Sequence, residues 1–240
     1  EMRCYASIGF SECFWPCLST SESGRRNQTI TYFKGGNFGK DRTNSDIRNY
    51  PITGYVIKKF IHKDDAWAGN DAETLEKPFP IIRYAEILLS YVEALNNLTG
   101  GHTITDAEGN SQTFTRDVNE MAKYFNMIRY RAGLPGLTSA ELSSPDQMFD
   151  LIVRERMIEF LHENRRFYDV RRWGIYEEVD KEPIVGMDTE SRKDGYYERT
   201  VVNHPIARNR KVERKMIWLP ISRQEIRKVP KMDQNPGWDN

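Results

Sequence analysis

Six arginines, three glutamates and an aspartate fall between Arg154 and Arg172, in the run Val153-RERMIEFLHENRRFYDVRRW-Gly174. Beside them Phe149, Ile152, Val153, Met157, Phe160 and Leu161 recur at helical spacing, so one face of this stretch meets a core while charge runs alongside it. Glu155, Glu159 and Glu163 lie at i, i+4 and i+8. Like charges so placed repel by a few tenths of a kcal/mol per pair on an isolated helix. Such a row persists when cations pack against it or when the carboxylates do chemistry. Arg156, Arg166, Arg171 and Arg172 stand close in sequence, which favours a structural ion-pair network. A glycosidase pair, with carboxyl groups roughly 5 to 10 Å apart, is the weaker reading, because arginines hold carboxylates ionised whereas a general acid needs a raised pKa.

The same 3.6-residue period organises the rest of the second half. Apolar residues at 81, 84, 85, 88, 91, 92, 95 and 98 predict an amphipathic helix over 81–98, stopped by Gly100-Gly101. His102 to Phe114 reads as a hairpin around Glu108-Gly109-Asn110. A second helix is predicted over 117–132, opened by Asp117-x-x-Glu120 and stopped at Gly133. A third spans 145–163, with Ser144 as N-cap and Pro145 in the first turn. Asn164 is suited to a left-handed turn before a short fourth helix, 166–173. Helix pairs in tandem predict a mostly α fold of tetratricopeptide-like pairs with long irregular loops. Residues 175–214 read as a polar surface excursion, 216–221 as a buried strand-like segment and 223–228 as a short helix. Residues 1–78 are rich in Gly, Ser, Thr, Asn and aromatics, with β-like pieces at 28–33 and 54–61 between loops such as Lys34-GGNFG-Lys40.

Charge excludes one class of partner. Lys+Arg and Asp+Glu are both 35, so the net charge is zero and bulk attraction to a polyanion is absent; nucleic acid is not an expected partner. No apolar run approaches the roughly 20 residues of a membrane span. Cys4, Cys13 and Cys17 lack redox or zinc spacing and read as one local disulfide or three thiols. Asp64-Asp65 with Asn70-Asp71-x-Glu73 offers oxygens for calcium, but Asp106-x-Glu108-Gly-Asn110 is better read as a hairpin turn, and no metal or other cofactor is expected. His62, His102, His162 and His204 show no ligand spacing, and no Ser-His-Asp or glycine-rich phosphate signature appears, so the chain reads as a non-enzyme.

Four stretches, in order, resemble the SusD/RagB family of outer-membrane nutrient-binding proteins. They are Pro80-IIRYAEILLSYVEALN-Asn97, Asn126-MIRYRAGLP-Gly136, Arg154-ERMIEFLHENRRFYDVRRWG, and Trp218-LPISRQEI with the terminal QNPGW. Met2-Arg3-x-Tyr5-Ala6-Ser7-Ile8 is similar to a segment ahead of them. The family's Glu-Gly-x-Arg turn is here Glu163-Asn164-Arg165-Arg166. Family members are about twice as long, so residues 1–240 are expected to form one C-terminal portion of a SusD-like fold. In it 1–78 would be the loop-rich, ligand-side part and 79–240 the helical region. The resemblance implies non-catalytic binding of an oligosaccharide at the bacterial cell surface and delivery to a SusC-like TonB-dependent outer-membrane transporter. It also implies a lipoprotein whose only membrane contact is a lipid anchor on the half not present here. A peptide-binding relative, or a tetratricopeptide-type interaction scaffold, is the alternative.

Sugar recognition needs flat aromatic faces and a few polar groups for hydroxyls. Trp173, Trp218 and Trp238 lie in the structural motifs and are expected to pack. Trp15 and Trp67 lie in polar loops with little core to bury them, which makes them candidate ligand-binding residues, followed by Tyr50 and Tyr55. Asn37, Arg42, Asp46 and Arg48 are the candidate polar partners, since loops carry recognition disproportionately.

Overall fold

A computed structural model describes residues 1–42, 50–67, 69–229 and 231–238. The chain divides into two compact units that interleave in sequence. Unit 1 holds Glu1–Gly9, Trp15–Gln28 and Ile57–Arg166, and unit 2 holds Phe10–Phe14, Thr29–Val56 and Phe167–Asn240. Among the described residues no helix is long and apolar enough to cross a membrane.

Unit 1 is built on helices α1 (Met2–Ser7), α2 (Tyr84–Asn96), α3 (Val118–Arg131), α4 (Ser139–Ser143) and α5 (Pro145–Glu159). Side chains fix their starts. Asp117 accepts from the backbone N–H groups of Asn119 and Glu120 at α3. Thr138 and Glu141 form a reciprocal capping box at α4, and Ser144 caps α5 ahead of Pro145. Leu89, Val92, Met121, Phe125, Met148 and Ile152 have no or almost no exposed surface and join α2, α3 and α5 in one core. Each such burial is worth about 1.5–3 kcal/mol. The buried amide of Asn96 both accepts and donates. Its Oδ1 accepts from Arg116 at 2.9 and 3.2 Å, its Nδ2 donates to Pro145 O at 2.9 Å, and Arg116 also reaches Leu142 O. Residues His102–Thr105 and Ser111–Phe114 pair antiparallel, with Gly109 at φ +86° in the turn.

Helix ends differ from the sequence reading. α2 begins at Tyr84, because Arg83 is extended, and Ile81 and Tyr84 are exposed although their spacing matched the inward stripe. α5 stops at Glu159. His162 and Asn164 then adopt left-handed backbone (φ +60° and +62°), so Glu163 is presented by a turn, not by the helix. Met157 is exposed, while Ile152 and Phe160 are buried.

Unit 2 takes the last six residues of α6 (Arg165–Arg172), then α7 (Tyr176–Lys181), α8 (Lys193–Tyr196), α9 (Pro205–Arg208) and α10 (Arg223–Lys228). Strands Val185–Met187 and Arg199–Val201 pair antiparallel. The expected surface excursion is in part a core: Tyr196 is 1% exposed, and Tyr176 and Val202 are also buried. Tyr196 donates to Gly54 O at 3.1 Å. At φ +74°, a Cβ on Gly54 would stand 2.6 Å from that hydroxyl and 2.8 Å from Met187 Cβ. The polar composition hid this core because tyrosines bury rings while their hydroxyls find backbone partners.

The segment read as a buried strand is a 3₁₀ turn (Arg214–Ile217) followed by exposed chain, with Trp218 61% and Leu219 67% exposed. Its backbone is claimed by the C-terminal residues instead of a sheet. Gln234 bonds both N and O of Ile221, Asn235 Nδ2 donates to Leu219 O, and Trp238 Nε1 donates to Lys215 O at 2.9 Å.

Candidate functional site

The glutamate row is a buried charge network, and its cations come from afar. Arg83 donates to Glu159 Oε1 and Glu163 Oε2, both at 2.8 Å; Arg3 reaches Glu155 at 2.6 Å and Glu159 at 3.0 Å. Arg131 also pairs with Glu159, and Lys59 with Glu163. Burial pushes the Glu159 carboxyl up, but hydrogen bonds from Arg131 and Arg83, with the charge of Arg131 and the bond from Arg3, outweigh it and hold the group below its ordinary value. A carboxyl so held is a poor general acid. Two arginines near in sequence also pack on aromatic rings. Arg156 lies over the Phe160 ring and donates to Ser90, and Arg171 lies over the rings of Phe167 and Tyr176.

Within unit 1 the loop residues 15–28 and 57–77 are stitched together. Leu18 N donates to Lys63 O and Ser19 N to Asp64 O. Ser19 Oγ donates to Glu73 O at 3.0 Å, Thr20 Oγ1 to Asp71 at 3.2 Å, and Ser21 N to Asp71 at 2.9 Å. Asp65 is buried. It accepts from Lys77 and from the N–H groups of His62 and Leu75, and these bonds overcome its burial to keep its pKa low. Asp65 and Asp71, two of the acids that looked like calcium ligands, are therefore engaged in closing loops; Asp106 likewise accepts from Glu108 and Asn110.

This loop pair carries both candidate tryptophans. Trp67 is 90% exposed, its indole faces uncovered. Trp15 is half-buried. The Lys58 ammonium lies 5.6 Å from its ring centroid, and its enclosed indole N–H meets no acceptor among the described residues. Nearby Cys17 is a thiol with its pKa pushed up by burial and by the charge of Asp65, and no disulfide joins it to Cys4 or Cys13.

The other described candidates lie in unit 2. Asn37 accepts from Thr31 N and Oγ1 and donates to Thr29 O, so its amide shapes its own loop. Arg42 is exposed, Tyr55 is half-buried, and Tyr50 is 5% exposed beside a cavity of about 60 Å³. That volume holds a water or two. Asp46 and Arg48 fall outside the described residues. Sequence reasoning passed over a larger groove, about 460 Å³, lined by Lys181, Glu182, Ile184, Val202, Arg208 and Arg210. No periodicity marks such a groove, since its walls come from short elements.

Comparison with known proteins adds a family. The family model described as "SusD family" matches residues 1–238. A stretch of 117 residues, 47% of this chain, is 31% identical to the SusD-like protein P2 of Formosa agariphila and covers 20% of that relative. A solved SusD-like protein from Bacteroides fragilis NCTC 9343 overlays 99% of this chain with a TM-score of 0.72 at 29% identity. This chain spans 39% of that protein's length. The overlay agrees with the mostly helical, tetratricopeptide-like fold read from the sequence.

Proposed function

The chain belongs to the SusD family, and from that membership we propose that it serves in non-catalytic capture of an oligosaccharide at the bacterial cell surface. The captured glycan passes to a partner TonB-dependent transporter in the outer membrane, and a lipid anchor outside these residues holds the protein there. One observation supports a sugar in particular: the bare indole of Trp67, 90% exposed on a loop pair tied by hydrogen bonds. An exposed tryptophan on a held loop offers the flat apolar face that the C–H side of a pyranose needs, and the loop's fixed geometry limits the entropy lost on binding. Trp15, half-buried with the Lys58 ammonium 5.6 Å from its ring centroid, supplies a second ring.

The test is calorimetric titration of the chain and its Trp67→Ala variant with oligosaccharides of plant, host and microbial origin. One glycan class binds the parent saturably, and the variant loses about 1–2 kcal/mol, roughly five- to thirtyfold in Kd. Unchanged affinity in Trp67→Ala contradicts the site, and binding of a peptide mixture in place of every glycan contradicts the ligand class.

A further inference from the structure

The chain is neutral, yet its charge is unevenly spread. Residues 208–233 hold nine of the 35 cations and three of the 35 acids, so this stretch is +6 and the remainder of the chain −6. Two of the cations are matched by local acids: Lys215 pairs with Glu213 at 3.1 Å and Lys228 with Glu225 at 2.7 Å. Arg223, Arg227 and Lys231 are exposed and make no ion pair among the described residues. Arg223 and Arg227 stand at i and i+4 of α10, so they share one side of that helix, while Ile226 is half-buried.

Directly ahead of α10 lies an apolar ridge. Trp218 and Leu219 are 61% and 67% exposed, and Pro220 is exposed beside them. Their backbone is tied down while their side chains stay out. Trp238 Nε1 donates to Trp218 O at 3.1 Å and Asn235 Nδ2 to Leu219 O at 2.6 Å, and Gln234 bonds both backbone groups of Ile221. These bonds join the two ends of the segment that carries α10, so ridge and cations ride on one closed loop. The approach is tight: a Cβ on Gly237 (φ +84°) would stand 2.8 Å from Lys215 Cβ.

An apolar patch rimmed by charge marks a contact surface, and its chemistry selects the partner. A soluble polyanion would use the cations but has no need of Trp218 and Leu219. Protein interfaces are poor in lysine. A bilayer with anionic headgroups uses both features, because tryptophan settles at the membrane–water boundary and arginine and lysine are drawn to the headgroup charge. A loop already held in shape loses little entropy on docking. We propose that this loop is a contact surface for an anionic lipid bilayer. Trp218 and Leu219 enter the headgroup layer, and Arg223, Arg227, Lys228 and Lys231 meet its phosphates. The contact is separate from glycan capture and from any lipid anchor.

The test is co-sedimentation of the chain with vesicles of phosphatidylcholine alone, and of phosphatidylcholine and phosphatidylglycerol in equal parts. Binding is expected to the anionic vesicles only, falling steeply as salt is raised. Arg223→Gln, Arg227→Gln and Lys231→Gln should each weaken it by roughly fivefold. Leu219→Ser should weaken it as well, and brominated acyl chains should quench the tryptophan emission of the parent but not of Trp218→Phe. All of these side chains are exposed, so circular dichroism and glycan affinity stay at the parent values. No binding, equal binding to both vesicles, or parent affinity in the Arg223→Gln/Arg227→Gln double variant overturns the proposal. So does quenching that survives Trp218→Phe. Binding that dextran sulfate abolishes and Leu219→Ser leaves unchanged would make the partner a soluble polyanion and overturn it too.

Discussion

At Glu159 two large effects oppose each other. Burial disfavours its charge, and the guanidinium groups of Arg131, Arg83 and Arg3 more than offset that cost. Glu159→Gln leaves those cations without their partner, and breaking a buried pair in this way costs about 3–5 kcal/mol. Urea unfolding should register that loss, while glycan affinity stays at the parent value; a folded variant that no longer binds would instead assign the carboxylate to the ligand site. The pH dependence has a definite sign. The folded-state pKa of Glu159 is depressed, so its contribution is fully present above the unfolded value of about 4.3 and is lost as pH falls through the folded value. Unfolding midpoints measured down from pH 5 should drop for the parent and change less for Glu159→Gln. The carboxylate row was legible in the sequence because its spacing is local. Its partners were not: Arg3 lies 152 positions from Glu155, and nothing in a linear pattern tells which arginine a fold returns to a given acid.

Helices were the most legible elements, since a 3.6-residue stripe and a cap are both written locally. Asp117 is an instance; Asp117→Ala should cost α3 about 1 kcal/mol, seen as a lower thermal midpoint with the helical signal intact. Errors fell where apolar residues have a purpose other than the nearest core. Ile81 and Tyr84 kept the period of α2 yet lie exposed, and Trp218 and Leu219 looked like a strand but have no sheet neighbour. What holds the Trp218 segment is the amide of Gln234, which substitutes for a strand by bonding both backbone groups of Ile221. Gln234→Ala should therefore speed tryptic cleavage after Lys215 without altering far-ultraviolet circular dichroism; an unchanged cleavage rate would mean that the other C-terminal contacts suffice.

For the chain as a whole, family and fold agree, and the functional claim rests on loops carried beside the helical core. The polar residues 15–28 and 57–77 read as irregular because no period runs through them. Their order comes from side-chain to backbone bonds such as those of Ser19, Asp65 and Asp71, which composition alone does not announce. That order is what makes Trp67 a held surface and not a floppy one, so the platform and the ring should fail separately. Asp65→Asn, which loosens the loop, should weaken binding with Trp67 intact. The most direct measurement is intrinsic tryptophan fluorescence of the chain, titrated with the oligosaccharide panel while reducing-sugar release is followed in the same tubes. The account predicts a saturable shift with one glycan class and no release. Release of reducing sugar, or silence across every glycan with a response to peptide, would contradict it.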